Sequence, residues 1–549
     1  MSLQYQPVGP IPEDTARVAR AAFPKGTMAI RVRDILGAIY CDQQFVDLFP
    51  SHGQPAETPW RLALITVLQF AEGLSDRQAA DAVRGRIDWK YALGLELTDA
   101  GFDFSVLSEF RTRLVVEGAE QRLLTTMLDL MQEQGLLKAR GRQRTDATHV
   151  LAAIRTLNRL MCVGETLRHA LNVLAQVAPD WLRAQVSPEW FDRYSRRFEE
   201  SRLPTAKAAR AALAAVIGAD GRQLLAAVYA PSAPTDAREL PAVDILRQVW
   251  LQQYYAPDQD GQVRWREADD VPPAALLIHS PYDVEARYST KRSTTWVGYK
   301  VHVTETCDED TPHLIAHIET TAATTHDSQV TPTIHTALAD KDLLPREHLV
   351  DASYSDAELL VTSQRTYAVE LYGPVMPDTS WQARAGQGFD VACFAVDWDA
   401  CRVTCPQGQD STQWKPTHDA SGGAVIHVEF ERRTCAVCPC RTQCTRSQSG
   451  GRELALRPHD HHRALQAARQ RQTTAAFKEH YAARAGVEGT LSQGIRAFEL
   501  RQTRYIGLAR TRLQHIITAA AINVHRLEDW WTASPRARTR RSPFVALAA

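Results

Sequence analysis

No run of the 549 residues approaches 18 uninterrupted apolar positions, so no membrane-spanning helix is expected. The opening stretch MSLQYQPVGPIPEDT lacks the basic-then-apolar layout of a secretory signal, which points to a soluble, cytoplasmic chain. There is no internal repeat, and the one biased tract is the Arg-rich SPRARTRRS near the end. Cysteine is sparse along most of the length: Cys41, Cys162 and Cys307 are scattered, while the other seven of the ten fall between Cys393 and Cys444. A disulfide framework belongs to small secreted domains, so clustering in one corner of a large chain points to metal. Net charge is also nearly missing, at −1, but it is divided unevenly. Residues 451–549 hold 17 Lys/Arg against 7 Asp/Glu, a net of +10, which leaves −11 on residues 1–450. A basic block on an acidic chain suggests a polyanion partner at that end.

What is present is ordinary globular material, 44% hydrophobic and 23% charged, long enough for three or four compact units. Residues 26–135 read as helices. TPWRLALITVLQFAEGL (58–74) has apolar residues at helical spacing and stops at Gly73. Ser75-Asp76-Arg77-Gln78 is a capping box opening a helix through about Arg84, and Asp103 or Ser105 caps one carrying Arg111 and Arg113. These short helices fit a helix-turn-helix-like DNA module, although periodicity alone favours a plain helical bundle. A strand around 143–150 follows, then helices over 153–255 with breaks at PSAPTD (231–236) and VPPAA (271–275). WVGYKVHVTET (296–306) alternates as a strand, with HLIAHIET (313–320) as its hairpin partner. A helix from Asp327, a strand before Asp351, a helix from Ser355 capped against Glu358, and a strand within 366–375 give an α/β pattern. Long helices are expected over roughly 455–530.

Three carboxylates stand out. In VDASYSDAELL, Asp351 sits just past a strand end, where open α/β sheets place ligands, although a turn aspartate also fits. In TDATHV, Asp146 lies inside a strand after Arg140, Arg142 and Arg144; such an Asp needs a paired charge, a metal, or an edge facing water. In HYAARAGVEGTLSQGIR, Tyr481, Arg484 and Glu488 share one helical face, thinned by Gly486, Gly489 and Gly494. From Arg496 the helix adds Arg501, Arg504, Arg510 and Arg512 with only Glu499 opposing, which suits an ion-pair network or a phosphate track. In the Cys-rich stretch, Cys405, Cys435, Cys438 and Cys444 could complete a four-thiolate zinc site, with Cys401 and Cys440 as competing ligands and reduced thiols as the alternative.

Taken together, GLSDRQAADAVRGRIDWKYALGLEL…FSVLSEFRTRL, TDATHV, WVGYKVHVTET, VDASYSDAELL and YAARAGVEGTLSQ…RYIGLARTRLQH resemble a bacterial insertion-sequence transposase of the DDE class, closest to the group numbered eleven eighty-two. The resemblance implies an RNase H-like core, a mixed sheet with helices, in which Asp146, Asp351 and Glu488 bind two Mg²⁺ or Mn²⁺ ions. It implies a chain divided into a helical DNA-binding region (1–135), a first core strand (136–152), a helical insertion (153–280), the continued core (281–385), a Cys-rich insertion with one structural zinc (386–450), helices completing the core (451–530) and a basic tail (531–549). The partners implied are double-stranded DNA, as terminal inverted repeats and target, and a second copy in the DNA complex. Lys291, Arg292, Arg484 and the arginines at 111, 113, 496, 501, 504, 510 and 512 are its expected DNA contacts. A nuclease of the same fold and a non-catalytic DNA-binding regulator are the alternatives. Two departures from the family stand in the sequence: Ile495 where its Tyr-Arg-Glu-Lys signature has a basic residue, and Ser353 where Gly usually follows the second Asp.

Overall fold

A mixed sheet organises the centre of the molecule. The computed structural model describes residues 2–3, 7–198, 203–256, 263–419, 422–534, 544 and 547; most of the expected basic tail, including nearly all of SPRARTRRS, lies outside the described residues. The strands are β1 (Arg142–Leu151), β2 (Arg287–Lys291), β3 (Thr294–Thr306), β4 (Ile315–Ala322), β5 (Glu347–Leu349) and β6 (Glu370–Tyr372). β2 pairs with the first part of β3 and β4 with the remainder, both antiparallel. β1 runs antiparallel to β3, with Asp146 opposite Val303, and parallel to β5, which is parallel to β6. The path β3-β1-β5-β6 therefore changes from antiparallel to parallel at β1. This mixed sheet is compatible with an RNase H-like core.

β3 departs from a half-buried strand. The sequence alternates, but from Trp296 onward every residue except Lys300 is buried, because the polar face is covered as well. Polar groups on a covered face need partners, and they have them: Lys300 meets Asp327, His302 meets Tyr354, and Thr304 meets Thr145. Near the middle of the strand, Gly298 (φ +154°) allows β1 to come close, since a Cβ there would strike the Val150 carbonyl.

The expected long C-terminal helices resolve into His459–Arg471, Ala475–Tyr481, Gly486–Ala497 and Leu508–Trp531. The last is buried almost throughout from Thr511 to Leu527. It packs against β4 and against the N-terminal helices, including Pro59–Ala71. One hydrophobic core accordingly joins Leu64, Leu68 and Phe110 of the N-terminal region to Val301 of the sheet and Ile516 of the final helix. The Ser75–Gln78 capping box forms and opens the helix Asp76–Gly85. The Ser355–Glu358 box does not: Asp356 caps the helix Ala357–Tyr367 through the Leu359 N–H, and the Ser355 hydroxyl donates to the Pro374 carbonyl instead. An aspartate one residue nearer the helix has the shorter reach to the third N–H.

Between β1 and β2, five α-helices among the described residues, from Arg159–Val177 to Pro241–Gln253, enclose a second core around Leu167, Ile217 and Leu246. By length and composition one of them, Lys207–Tyr229, could cross a membrane. Arg210, Asp220 and Arg222 divide its apolar residues into shorter runs. Its Gly218 and Gly221 lie under Tyr254 and Trp250, which a Cβ at either position would strike. A third, small core around Phe394, Val428, Phe430 and Leu454 supports the Cys-rich unit and its three-stranded sheet.

Candidate active site

Asp146 comes from β1, Asp351 from the exit of β5, and Glu488 from the helix Gly486–Ala497. Both aspartates use one oxygen locally. Asp146 Oδ1 accepts the Ala147 N–H at 2.8 Å. Asp351 caps the short 3₁₀ turn Ala352–Tyr354, where its Oδ1 accepts from the Ser353 N–H (2.8 Å) and hydroxyl (2.5 Å). The other oxygens face a common point: Arg484 Nη2 lies 2.8 Å from Asp146 Oδ2 and 3.8 Å from Asp351 Oδ2. The opposite arm, Nη1, is 3.4 Å from Glu488 Oε1. All three carboxylates thus surround one guanidinium.

The local backbone explains how Arg484 gets there. The single helix expected across Tyr481, Arg484 and Glu488 is interrupted by a 3₁₀ turn, Ala482–Ala485, between Ala475–Tyr481 and Gly486–Ala497. The tighter winding changes the residue spacing around the axis. Gly486 passes against the Arg144 guanidinium, which a Cβ would strike, and Arg144 Nη1 donates to the Ala483 carbonyl at 2.5 Å. Gly494 makes room for Leu500, whereas Gly489 faces open space. Tyr481 Oη donates to the Val350 carbonyl at 3.1 Å, holding this segment to the strand end that carries Asp351.

Electrostatically the site demands a cation. Burial, foremost, raises the Asp146 carboxyl above its ordinary value; Arg484 opposes this, and the nearby Asp351 charge adds to it. Burial pulls Arg484 down, but Asp146, Tyr481, Asp351 and Glu488 outweigh it and hold the guanidinium higher than usual. Arg484 Nε is buried without a hydrogen-bond partner, so the guanidinium is not fully satisfied where it lies. Among the described residues no three His, Cys, Asp or Glu side chains stand together as a closed metal cage. Here the space between the carboxylates is filled by Arg484. The donors themselves are hard oxygens, the kind that Mg²⁺ and Mn²⁺ prefer, so their chemistry fits such ions.

The expected DNA contacts separate into two groups. Arg111 is 5% exposed, pairs with Asp76 at 2.5 Å and lies against the Tyr505 ring. Arg113 bonds the Leu48 carbonyl and Glu109 and covers Phe49. Both are engaged in the protein's own packing as they lie here. Arg111→Ala should lower stability by roughly 1–3 kcal/mol with no change in sequence preference on DNA, measurable by denaturant unfolding beside a binding titration. Arg484 belongs to the carboxylate site. Arg501 and Arg504 are not on a helix but on the connection 498–507. Arg501 Nε donates to Thr148 Oγ1 and its carbonyl accepts the Leu151 N–H, whereas Arg504 lies over Phe70 and pairs with Glu499 at 3.7 Å. Arg512 pairs with Glu319 at 3.2 Å. Lys291, Arg292, Arg496 and Arg510 are exposed, with Arg292 in the left-handed turn joining β2 to β3. The Lys291 charge reaches Asp146 and His149, so this hairpin lies near the carboxylates.

Sequence reasoning missed two groups. Glu305 is fully buried, with Arg144 Nε and Arg526 Nη1 each at 2.6 Å and Thr490 Oγ1 at 2.5 Å. Asp327 is buried beside Asp351, but its sequence position reads only as a helix start. A buried acid in an alternating strand, as at Glu305, was the available signal for the first.

In the Cys-rich unit, Cys405, Cys435, Cys438 and Cys444 line one pocket with Phe389, Phe430 and Arg452. The Gln409 N–H points at Cys405 Sγ at 3.4 Å. Burial raises the Cys444 thiol, Arg452 opposes this, and Cys435, Cys405 and Cys438 are near enough to add to it. The four cysteines line this pocket, but among the described residues no three or more His, Cys, Asp or Glu side chains are placed to hold a metal ion.

A family model described as a transposase DDE domain matches residues 404–528. A second, a transposase domain (DUF772), matches residues 17–113. Together these matches support reading the chain as an insertion-sequence DDE transposase. The matched ranges take in the N-terminal helices, the zinc-candidate cysteines and Glu488, whereas Asp146 and Asp351 lie outside both. No curated protein and no solved structure matches the chain.

Proposed function

We propose that this transposase, of the group numbered eleven eighty-two, binds the terminal inverted repeats of its element, cuts the ends by metal-dependent phosphodiester hydrolysis and joins the 3′-OH ends to target DNA. The observation that carries the reading is the convergence of Asp146, Asp351 and Glu488 on one cationic point. Asp146, Asp351 and Glu488 hold two Mg²⁺ or Mn²⁺ ions, which when bound supply an activated water and a stabilised leaving oxygen. Asp146 and Asp351 offer one oxygen each, since their other oxygens are fixed by their own turns. Tyr481 holds the glutamate-bearing segment against the end of β5. Arg484 balances the three carboxylates and would offer its charge to a phosphate bound at the site. Exposed Lys291, Arg292, Arg496 and Arg510 contact phosphates around the site. The protein works on nucleoid DNA in the cytoplasm as a homodimer in its DNA complex.

The test is a supercoiled plasmid bearing the element's two ends, incubated with the full chain and Mg²⁺. Nicking at the ends followed by joining supports the proposal. Nicking without joining turns it into a nuclease, and end binding without nicking into a regulator. In the same assay format, Arg510→Ala should weaken binding to every DNA sequence alike. The slope of log affinity against log salt should fall by about 0.9 for the lost phosphate contact. An unchanged slope would remove Arg510 from the DNA track.

The Cys-rich unit carries one structural Zn²⁺ through Cys405, Cys435, Cys438 and Cys444, supported by their gathering in one pocket. Cys401 and Cys440 are not among the residues lining that pocket. Metal analysis should find about one zinc per chain, and Cys438→Ser should lower both zinc content and folded yield. A stable, zinc-free protein would overturn this assignment.

A further inference from the structure

Asp351 is held by more than its own turn. Lys300, on β3, donates to the Thr325 carbonyl (2.7 Å) and to Asp327 Oδ1 (3.0 Å). The Ser353 hydroxyl lies between two carboxylate oxygens, 2.9 Å from Asp327 Oδ2 and 2.5 Å from Asp351 Oδ1, and shares its one hydrogen between them. A line of polar contacts thus runs from the sheet through Lys300, Asp327 and Ser353 to Asp351. The same turn is fixed at two further points: Thr331 Oγ1 donates to the Tyr354 carbonyl (2.8 Å), and Tyr354 Oη meets His302 Nδ1 (2.6 Å). We propose that Ser353 and Asp327 are positioning residues for Asp351, fixing which of its two oxygens is turned toward the point shared with Asp146.

The physical reason is rotational freedom. A carboxylate at a strand exit can turn about its terminal torsion, which is broad and roughly two-fold, and so offer either oxygen or neither. Engaging Oδ1 from the Ser353 side leaves Oδ2 as the oxygen that faces Arg484. Asp327 suits the supporting role because its side chain is only 7% exposed and is anchored by a cation on the central sheet rather than on a loop. It also gives a use to Ser353, which stands where glycine would supply no hydroxyl. Such supporting contacts around metal ligands typically change metal affinity or activity by about 10–100-fold when removed.

The inference rests on Asp351 being a metal ligand, and the experiment separates the two ideas. Mn²⁺ binding to the purified full chain is followed through the electron paramagnetic resonance signal of free Mn²⁺, with melting temperature recorded in parallel. Ser353→Ala and Asp327→Asn should each weaken Mn²⁺ binding about ten-fold. The double variant should be no weaker than the weaker single one, because both act through one line of contacts. Ser353→Thr, which keeps the hydroxyl, should restore affinity. Asp327→Asn leaves Lys300 without its counter-charge and can unfold the chain locally, so Ser353→Ala decides. If Ser353→Ala lowers the melting temperature but binds Mn²⁺ as the parent does, or changes neither, positioning is overturned. If Asp351→Asn itself binds Mn²⁺ normally, it is the ligand assignment that fails.

Discussion

Asp146→Asn and Asp351→Asn should each lower metal-dependent cleavage of end-bearing DNA by about 10³-fold or more, with end binding nearly unchanged. Both replacements keep the side-chain volume and the Oδ1 contacts to local N–H groups, and both remove the charge presented at Oδ2. Charge stabilisation by a bound divalent ion amounts to several kcal/mol, and about 4 kcal/mol corresponds to roughly 10³-fold in rate. Glu488→Gln should act in the same direction. Its side chain is 67% exposed, against 14% for Asp146, so the glutamate can swing and its loss should cost folding nothing. Single-turnover cleavage beside a gel-shift titration measures both quantities. A variant that cuts at near the parent rate would remove its residue from the site, and one that loses binding and cutting together would point to a positioning fault.

Each of the three carboxylates gave only a weak local signal, as an acid inside a strand, an acid at a strand exit and an acid among arginines, and it was the family resemblance that grouped them. Strand β3 and its hairpin partner were legible from alternation. What alternation could not give was the covering of the second face, since that depends on which distant helices lie over it. Lys300 and His302 therefore read as solvent-facing, although His302 is buried and Lys300 half-buried among partners. The arginines illustrate the same limit. Spacing puts Arg111 and Arg113 on one helix, but it says nothing of Asp76, Glu109 or the Tyr505 and Phe49 rings that absorb them. A helix continuing from Arg496 through Arg512 was expected. The chain instead leaves the helix after Ala497, passes through a left-handed Glu499 (φ +51°), and pairs briefly with β1 before helix resumes at Leu508.

Glu305→Ala should be the most destabilising single change in the α/β core, lowering unfolding free energy by about 3–5 kcal/mol. The residue is fully buried, and its two cationic partners are nearly so, with Arg144 7% and Arg526 15% exposed. Removing the carboxylate leaves two arginines facing each other across the space it filled, and each uncompensated buried charge is costly. The loss should also reach the active site. Arg144 lies two residues before Asp146 on β1 and bonds the Ala483 carbonyl, Thr490 sits on the Glu488 helix, and Arg526 belongs to the final helix. Glu305 is thus the point where these elements are joined, and cleavage should fall together with stability. The pH dependence gives a second check. Burial pushes the Glu305 carboxyl up, but Arg526 and then Arg144, with the hydrogen bonds they and Thr490 donate, outweigh it and hold it below its ordinary value. A depressed folded-state value means that its stabilisation is complete above the unfolded glutamate value of about 4.3. That stabilisation is then lost as pH falls through the lower folded value. Denaturant midpoints taken from pH 7 downward should therefore drop more gently below about pH 4.3 in Glu305→Ala than in the parent. A parent-like midpoint for the variant at pH 7 would show that the arginines find other partners and that Glu305 does not join these elements.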